Sequence, residues 1–114
     1  DAVPLKAEIT KFDLNAPTLP QLLGHDVGLF SGVLEYVHDL AKLADFLAQN
    51  FRSIVCSYAV LVGSSPEEIA RRRYSGWFSD LSAGEFSELF RSVGFRLTQE
   101  GEWAGQMLFR WDRM

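Results

Sequence analysis

The side chains best suited to chemistry lie in one stretch, residues 29–40, with the sequence LFSGVLEYVHDL. Ser31 and Gly32 form a small-residue loop after an apolar strand, and open α/β sheets bind ligands at the carboxyl ends of strands. Glu35 and His38 have the residue types of a general-base pair for a substrate hydroxyl or amine. The alternative, which base rates favour, is a solvated loop charge at Glu35 and a histidine just outside a helix cap.

Aromatic side chains mark a second candidate site further along the chain. Tyr74, Trp77 and Phe78 fall close together between helical segments, where they have the size to wall a substrate pocket. Packing in the core is the alternative for this group. Trp103 and Trp111 lie in the later hairpin, and we predict that both pack against the sheet.

Three consecutive arginines, residues 71–73, look like a basic patch. Glu67 and Glu68 stand four residues before Arg71 and Arg72, and this order favours ion pairs along a helix. We therefore predict a solvated helix whose charges compensate each other, with phosphate recognition as the minor alternative.

Composition excludes several classes of function. The 114 residues are 47% apolar and 23% charged, as in one soluble globular domain. The net charge of −4 argues against a nucleic-acid partner, and no apolar run reaches the ~20 residues of a membrane span. No cluster has metal-ligand spacing, and the single cysteine, Cys56, is predicted to be buried in a reducing compartment. We expect a cytoplasmic domain; its first residue, Asp1, indicates a processed or excised piece.

Periodicity supplies the elements that position these residues. The apolar segments predict five strands, at 6–14, 27–31, 53–61, 95–99 and 106–111, with turn residues at 100–105 closing a terminal hairpin. The near-continuous run 53–61 is typical of a strand buried on both faces of a parallel sheet. Strands that alternate with helices indicate an α/β fold.

Helix starts are marked by capping residues. Asp39 is a plausible N-cap for a helix that reaches Asn50 with an apolar stripe at i, i+3, i+4 and i+7. Capping boxes at 65–68 and 82–85 predict helices that run to about residue 74 and to Gly94. A shorter helical turn is predicted over 19–23.

Four stretches follow the element order of a known family. They are ITKFDL at 9–14, HDVGLFSGVLEY at 25–36, WFSDLS at 77–82 with the Gly-Phe pair at 94–95, and the final hairpin. This order resembles the class I S-adenosylmethionine-dependent methyltransferases from their third strand onward. The resemblance implies a single domain over 1–114, similar to the C-terminal half to two-thirds of the family's domain. It also implies a partial Rossmann-like sheet, mostly parallel, with a C-terminal antiparallel hairpin.

The resemblance further implies S-adenosylmethionine as the cofactor and assigns site residues. Asp13 would accept a hydrogen bond from the adenine amino group, and Leu14 would pack against its ring. The cofactor-binding loop would consist of three residues, Ser31, Gly32 and Val33. The implied substrate-binding residues are Tyr36, His38, Tyr74 and Trp77.

The family's glycine-rich turn after its first strand has no counterpart here, because this chain resembles only the later part of the fold. The strand at 27–31 should consequently be an apolar sheet edge, and such edges recruit partners. We expect it to pair with residues 1–14, with a second copy in a homodimer, or with another polypeptide.

We therefore expect part of a methyltransferase that acts on a small molecule, with the chain alone inactive. The alternative is a non-catalytic protein-interaction module that uses the free sheet edge and the aromatics at 74–78. A weaker third interpretation is an enzyme of another doubly wound α/β family.

Overall fold

The computed structural model describes residues 14–15, 25–63 and 65–114. The elements in these residues are β1 (His25–Phe30), α1 (Leu40–Asn50), β2 (Phe51–Tyr58), α2 (Pro66–Tyr74), α3 (Ala83–Ser92), β3 (Phe95–Trp103) and β4 (Gln106–Arg113). A 3-10 turn over Leu34–Tyr36, which the sequence did not predict, follows β1. Leu14 and Asn15 form a turn, and the rest of the predicted strand at 6–14 and the helical turn at 19–23 lie outside the described residues.

The strands form one sheet in the order β1-β2-β4-β3. β1 and β2 are parallel, with Phe30 opposite Cys56, and β4 runs antiparallel between β2 and β3. The predicted α/β class and the terminal antiparallel hairpin are confirmed. Among the described residues β1 is an edge strand, as the sequence predicts.

The hairpin is longer and its turn tighter than the sequence indicated. β3 extends to Trp103, and only Ala104 and Gly105 connect it to β4. Both connecting residues have positive φ, 52° and 80°, which is the backbone that a two-residue hairpin turn requires. Gly101, predicted in the loop, instead pairs with Leu108 inside the ladder.

All three helices begin where the capping residues predict. The Asp39 side chain accepts a hydrogen bond from the Lys42 N–H at 3.0 Å, and Ser65 caps α2 in the same way. Ser82 and Glu85 form the complete reciprocal capping box at the start of α3. Each cap satisfies an N–H group that would otherwise lack a partner in the first helical turn.

The core lies on one face of the sheet, beneath α1 and α3. Its centre is aromatic: the Phe86 ring stacks on Tyr58 at 4.5 Å and lies 4.9 Å from Phe109. The Phe90 ring stacks on Trp111 at 5.1 Å, and Trp111 is fully buried, which confirms the prediction for that residue.

The opposite face of the sheet has no helix of the described chain packed on it. Its exposed apolar side chains come from all four strands: Val27, Leu29, Val55, Leu108 and Trp103. Leu29 is 73% and Trp103 72% exposed, so the prediction that Trp103 packs against the sheet is wrong. Gln106 and Leu108 face the same way because alternate residues of a strand share a face. Trp103 pairs with Gln106 and therefore lies on this uncovered face as well. None of the helices in the described residues has the length and apolar character needed to cross a membrane.

Asp112 lies on the same uncovered face and is held by polar neighbours. Ser53 and Thr98 hydroxyls donate to its carboxylate, and Arg110 forms an ion pair with it at 3.1 Å. These hydrogen bonds, with Ser53 contributing most, lower the pKa of Asp112 from 3.8 to about 2.

A pH-dependent contribution to stability follows from this carboxylate. Because its folded pKa lies below its unfolded pKa, it stabilises the fold above pH ~4 and loses that effect as the pH falls toward ~2. We expect Asp112→Asn to be less stable than the wild type at pH 7 and the difference to shrink across that window. Urea unfolding at a series of pH values measures it, and a difference independent of pH would contradict the assignment.

Candidate functional site

The candidate site lies at the carboxyl ends of β1 and β2. After β1 the chain leaves the sheet through Ser31, Gly32 and Val33, which are all exposed. Gly32 has a φ of 68°, a conformation that favours glycine, and its N–H donates to the buried Ser57 hydroxyl at 2.8 Å. A Cβ added at Gly32 would have no atom within 4 Å, so the outer side of this loop is open. The predicted cofactor loop is therefore held on its inner side by the hydrogen bond to Ser57, and its outer side is open.

Asn15 holds the next part of the same loop. Its side-chain amide donates to the Tyr36 carbonyl at 3.1 Å, and its side-chain oxygen accepts the His38 N–H at 2.8 Å. Leu14 beside it is partly buried and packs against the core. Of the two residues predicted to contact adenine, Leu14 is thus anchored near the loop, whereas Asp13 lies outside the described residues. Sequence reasoning missed Asn15; an asparagine in a turn after a strand-end aspartate was the only signal.

Glu35 points into the protein and is 1% exposed. Its Oε2 accepts the Ala59 N–H at 2.7 Å, and its backbone carbonyl accepts the Phe78 N–H at 2.8 Å. Its other carboxyl oxygen, Oε1, is buried without a hydrogen-bond partner among the described residues. Glu35 is therefore not a solvated loop charge. Its inward direction also separates it from His38, whose side chain is exposed, so the two do not form a general-base pair.

Arg72 is the second buried ionisable residue of the site. Its guanidinium donates to Asp80 and to the Ala59 carbonyl, each at 2.9 Å, and to the Ser79 carbonyl at 2.6 Å. It also lies over the Trp77 ring, 5.2 Å from the centroid. The prediction of a solvated, self-compensated helix is wrong at this position.

The two neighbouring arginines are exposed and pair differently. Arg71 pairs with Glu68 three residues earlier, and Arg73 pairs with Asp80. Arg73 contributes most to lowering the pKa of Asp80, which keeps that carboxylate ionised for both arginines. The i, i+4 pairs predicted from Glu67 and Glu68 do not account for this arrangement, because Asp80 comes from the loop after α2.

The four predicted substrate-binding residues do not all line the same cleft. The His38 ring packs edge-on against Phe78 at 4.3 Å, and both line a cleft of about 350 Å³ between the start of α1 and α3. The Tyr36 ring lies against Gly76, and Trp77 is half-buried beneath Arg72. Tyr74 is 95% exposed at the end of α2 and contributes nothing to this cleft.

Two further kinds of reactive group can serve such a site, namely a cysteine thiol and a cluster of metal ligands. Burial, together with the nearby Glu35, raises the pKa of the Cys56 thiol to about 12, so this sulfur is not a nucleophile at neutral pH. In the described part of the chain no three His, Cys, Asp or Glu side chains converge as metal ligands.

Comparison with known proteins gives structural likeness without sequence likeness. No protein-family model and no curated protein matches the chain. Among solved structures, TnmH is similar at a TM-score of 0.66 and 16% identity, over 92% of this chain and 34% of that one. OxaC in complex with sinefungin and meleagrin is similar at a TM-score of 0.64 and 15% identity, over 96% of this chain and 32% of that one.

A third similar structure is magnesium protoporphyrin IX methyltransferase from Synechocystis PCC 6803 with bound SAH. Its TM-score is 0.63 at 13% identity, over 90% of this chain and 49% of that one. The chain therefore spans between a third and a half of the length of these structures. Its strand order and this likeness together show that the described residues have a class I methyltransferase fold.

Proposed function

We propose that the chain is the C-terminal part of an S-adenosylmethionine-dependent methyltransferase that acts on a small molecule. The observation that carries the proposal is the loop Ser31–Val33 at the carboxyl end of β1. It is exposed on its outer side and anchored on its inner side by the Gly32–Ser57 hydrogen bond. Likeness to structures solved with SAH and with sinefungin supports the choice of cofactor.

The residues present fit such a cofactor. The open space beside Gly32 lets a ligand approach the backbone of Ser31, Gly32 and Val33. Leu14 offers an apolar side chain for a purine ring, with Asp13 before it as the acceptor for the adenine amino group. The cofactor supplies an already activated methyl group, so the protein's task is alignment and exclusion of water.

The acceptor is proposed to bind beside the same loop. Tyr36 and His38 follow the cofactor loop closely and are exposed. We propose that the His38 imidazole takes a proton from an acceptor hydroxyl or amine. Trp77 belongs to the neighbouring segment, where Phe78 packs on His38, whereas Tyr74 at the end of α2 lies outside the cleft. This aromatic surface fits a small, largely apolar acceptor.

A second strand that pairs with β1 is proposed to come from outside the described residues. Among those residues β1 is an edge strand, and its side chains Val27 and Leu29 are apolar and exposed. An apolar edge of this kind pairs with another strand. We propose that residues 1–14, an upstream segment of the same polypeptide or a second chain supplies that strand.

Titration calorimetry with S-adenosylhomocysteine tests the proposal. We expect the 114-residue chain alone to show no binding, and a polypeptide extended by its upstream coding sequence to bind. Gly32→Ala in the extended form is expected to weaken binding about tenfold, equal to ~1.4 kcal/mol.

Gly94→Ala is the matched control, because Gly94 also has positive φ and an open outer side but lies at the start of β3. It introduces comparable backbone strain and should leave the affinity unchanged. No binding by either form would overturn the proposal and favour the non-catalytic interaction module, which uses the same sheet edge.

A further inference from the structure

Ala59, the first residue after β2, is held on both of its backbone groups by buried side chains. Its N–H donates to Glu35 Oε2 at 2.7 Å, and its carbonyl accepts from Arg72 Nη1 at 2.9 Å. In a sheet these two groups bond to a neighbouring strand. Here a glutamate from the loop after β1 and an arginine from α2 take that place. Each of the two side chains is 1% exposed.

The same two residues also hold the segment that carries the aromatics. The Glu35 carbonyl accepts the N–H of Phe78, and the Arg72 guanidinium donates to the Ser79 carbonyl. The Arg72 carbonyl accepts the Trp77 N–H at 2.9 Å, and its guanidinium covers the Trp77 ring. A closed set of hydrogen bonds therefore joins the loop after β1, the end of β2 and the segment 77–79.

We propose that Glu35 and Arg72 are positioning residues that make the donor-side loop Ser31–Tyr36 and the acceptor-side segment Trp77–Ser79 open and close as one unit. This inference rests on the proposed function for the identity of the two sides. Neither residue reaches solvent, so neither touches a ligand; they act through Ala59 and the backbone they hold.

The physical reason is the high cost of a half-broken buried network. If the segment 77–79 moved away alone, the Arg72 guanidinium would lose Ser79 while remaining buried, and the Phe78 N–H would lose Glu35. Buried polar groups without partners are strongly disfavoured, whereas a joint movement admits water to all of them at once. The two loops should therefore share one opening free energy.

Amide hydrogen exchange measured by NMR on the 114-residue chain tests this coupling. In the wild type we expect the Ala59 and Phe78 amides to have the same protection factor within about threefold. Glu35→Met, which keeps nearly the size of the side chain but removes the carboxylate oxygen that accepts the Ala59 N–H, should accelerate both amides about tenfold or more. The acceleration at Phe78 is the diagnostic readout, because Phe78 bonds to the Glu35 backbone, which the substitution leaves in place.

Matched controls come from the surface of α2. Glu68→Met removes an exposed carboxylate that pairs with Arg71, and Arg71→Gln removes the exposed partner of that carboxylate. Neither should change exchange at Ala59 or Phe78, whereas Arg72→Gln should accelerate both. The Leu47 amide in α1 reports global unfolding. If a variant unfolds, the test rests on the wild type, in which equal protection of the Ala59 and Phe78 amides supports the coupling and unequal protection contradicts it.

Acceleration at Ala59 alone, or unequal protection in the wild type, would overturn the coupling. A second arm adds S-adenosylhomocysteine to the extended polypeptide. We expect slower exchange at Phe78 in the wild type and in Glu68→Met but not in Glu35→Met. Slower exchange in all three would overturn the coupling. Absence of binding contradicts the proposed function instead, and the ligand-free exchange then decides the coupling by itself.

Discussion

Replacing Arg72 by methionine is expected to lower the free energy of unfolding by about 3–5 kcal/mol. The guanidinium is buried, and its loss leaves the carbonyls of Ala59 and Ser79 without their donor and removes one of the two arginines that pair with Asp80. Methionine fills much of the space but donates no hydrogen bond. Urea unfolding followed by far-ultraviolet circular dichroism measures the change.

Arg73→Met is the control for that experiment. Arg73 binds the same aspartate from the neighbouring position, but its side chain is exposed and its ion pair is screened by water. We expect it to lower the free energy of unfolding much less than Arg72→Met does. Equal effects of the two substitutions would contradict the structural role assigned to Arg72.

Phe86→Ala is expected to destabilise the chain by about 3–5 kcal/mol, the range for emptying a large buried aromatic site. The ring is fully buried between Tyr58 and Phe109, and it also contacts Phe90 at 5.0 Å. Those three neighbours belong to different elements, so local collapse around the cavity is limited. Chemical unfolding at constant pH measures the loss.

Tyr74→Ala provides the matched control. It also truncates an aromatic side chain on a helix, but Tyr74 is almost fully exposed. We expect a change within about 0.5 kcal/mol. A comparable loss from both substitutions would show that Phe86 is not at the centre of the core.

Features set by local sequence were predictable. Asp39, Ser65 and Ser82 cap helices at the predicted positions because a cap depends on residues only three positions apart. The apolar stripe of α1 predicted its buried face for the same reason. Ser31, Gly32 and Val33 were placed correctly at the end of a strand, because the change from apolar to small residues marks that boundary.

Features set by distant partners were not predictable. Glu35 and Arg72 are buried because Ala59, Ser79 and Asp80 meet them in space. Composition alone favours solvent for both side chains, and the spacing of Glu67 and Glu68 pointed to a different set of pairs. Trp103 is exposed because no described helix covers its face of the sheet, and the hairpin sequence holds no information about that covering.

The strand order also has a consequence for synthesis of the chain. β4 is the last of the described strands in the sequence, yet it lies in the interior of the sheet between β2 and β3. Ser53 of β2 therefore has no partner across this ladder until Asp112 has been synthesised. Before β4 is present, β1 and β2 are the only described strands that can pair with each other, and two-stranded sheets are marginal in water. We therefore expect the described sheet to form only after β4 has left the ribosome.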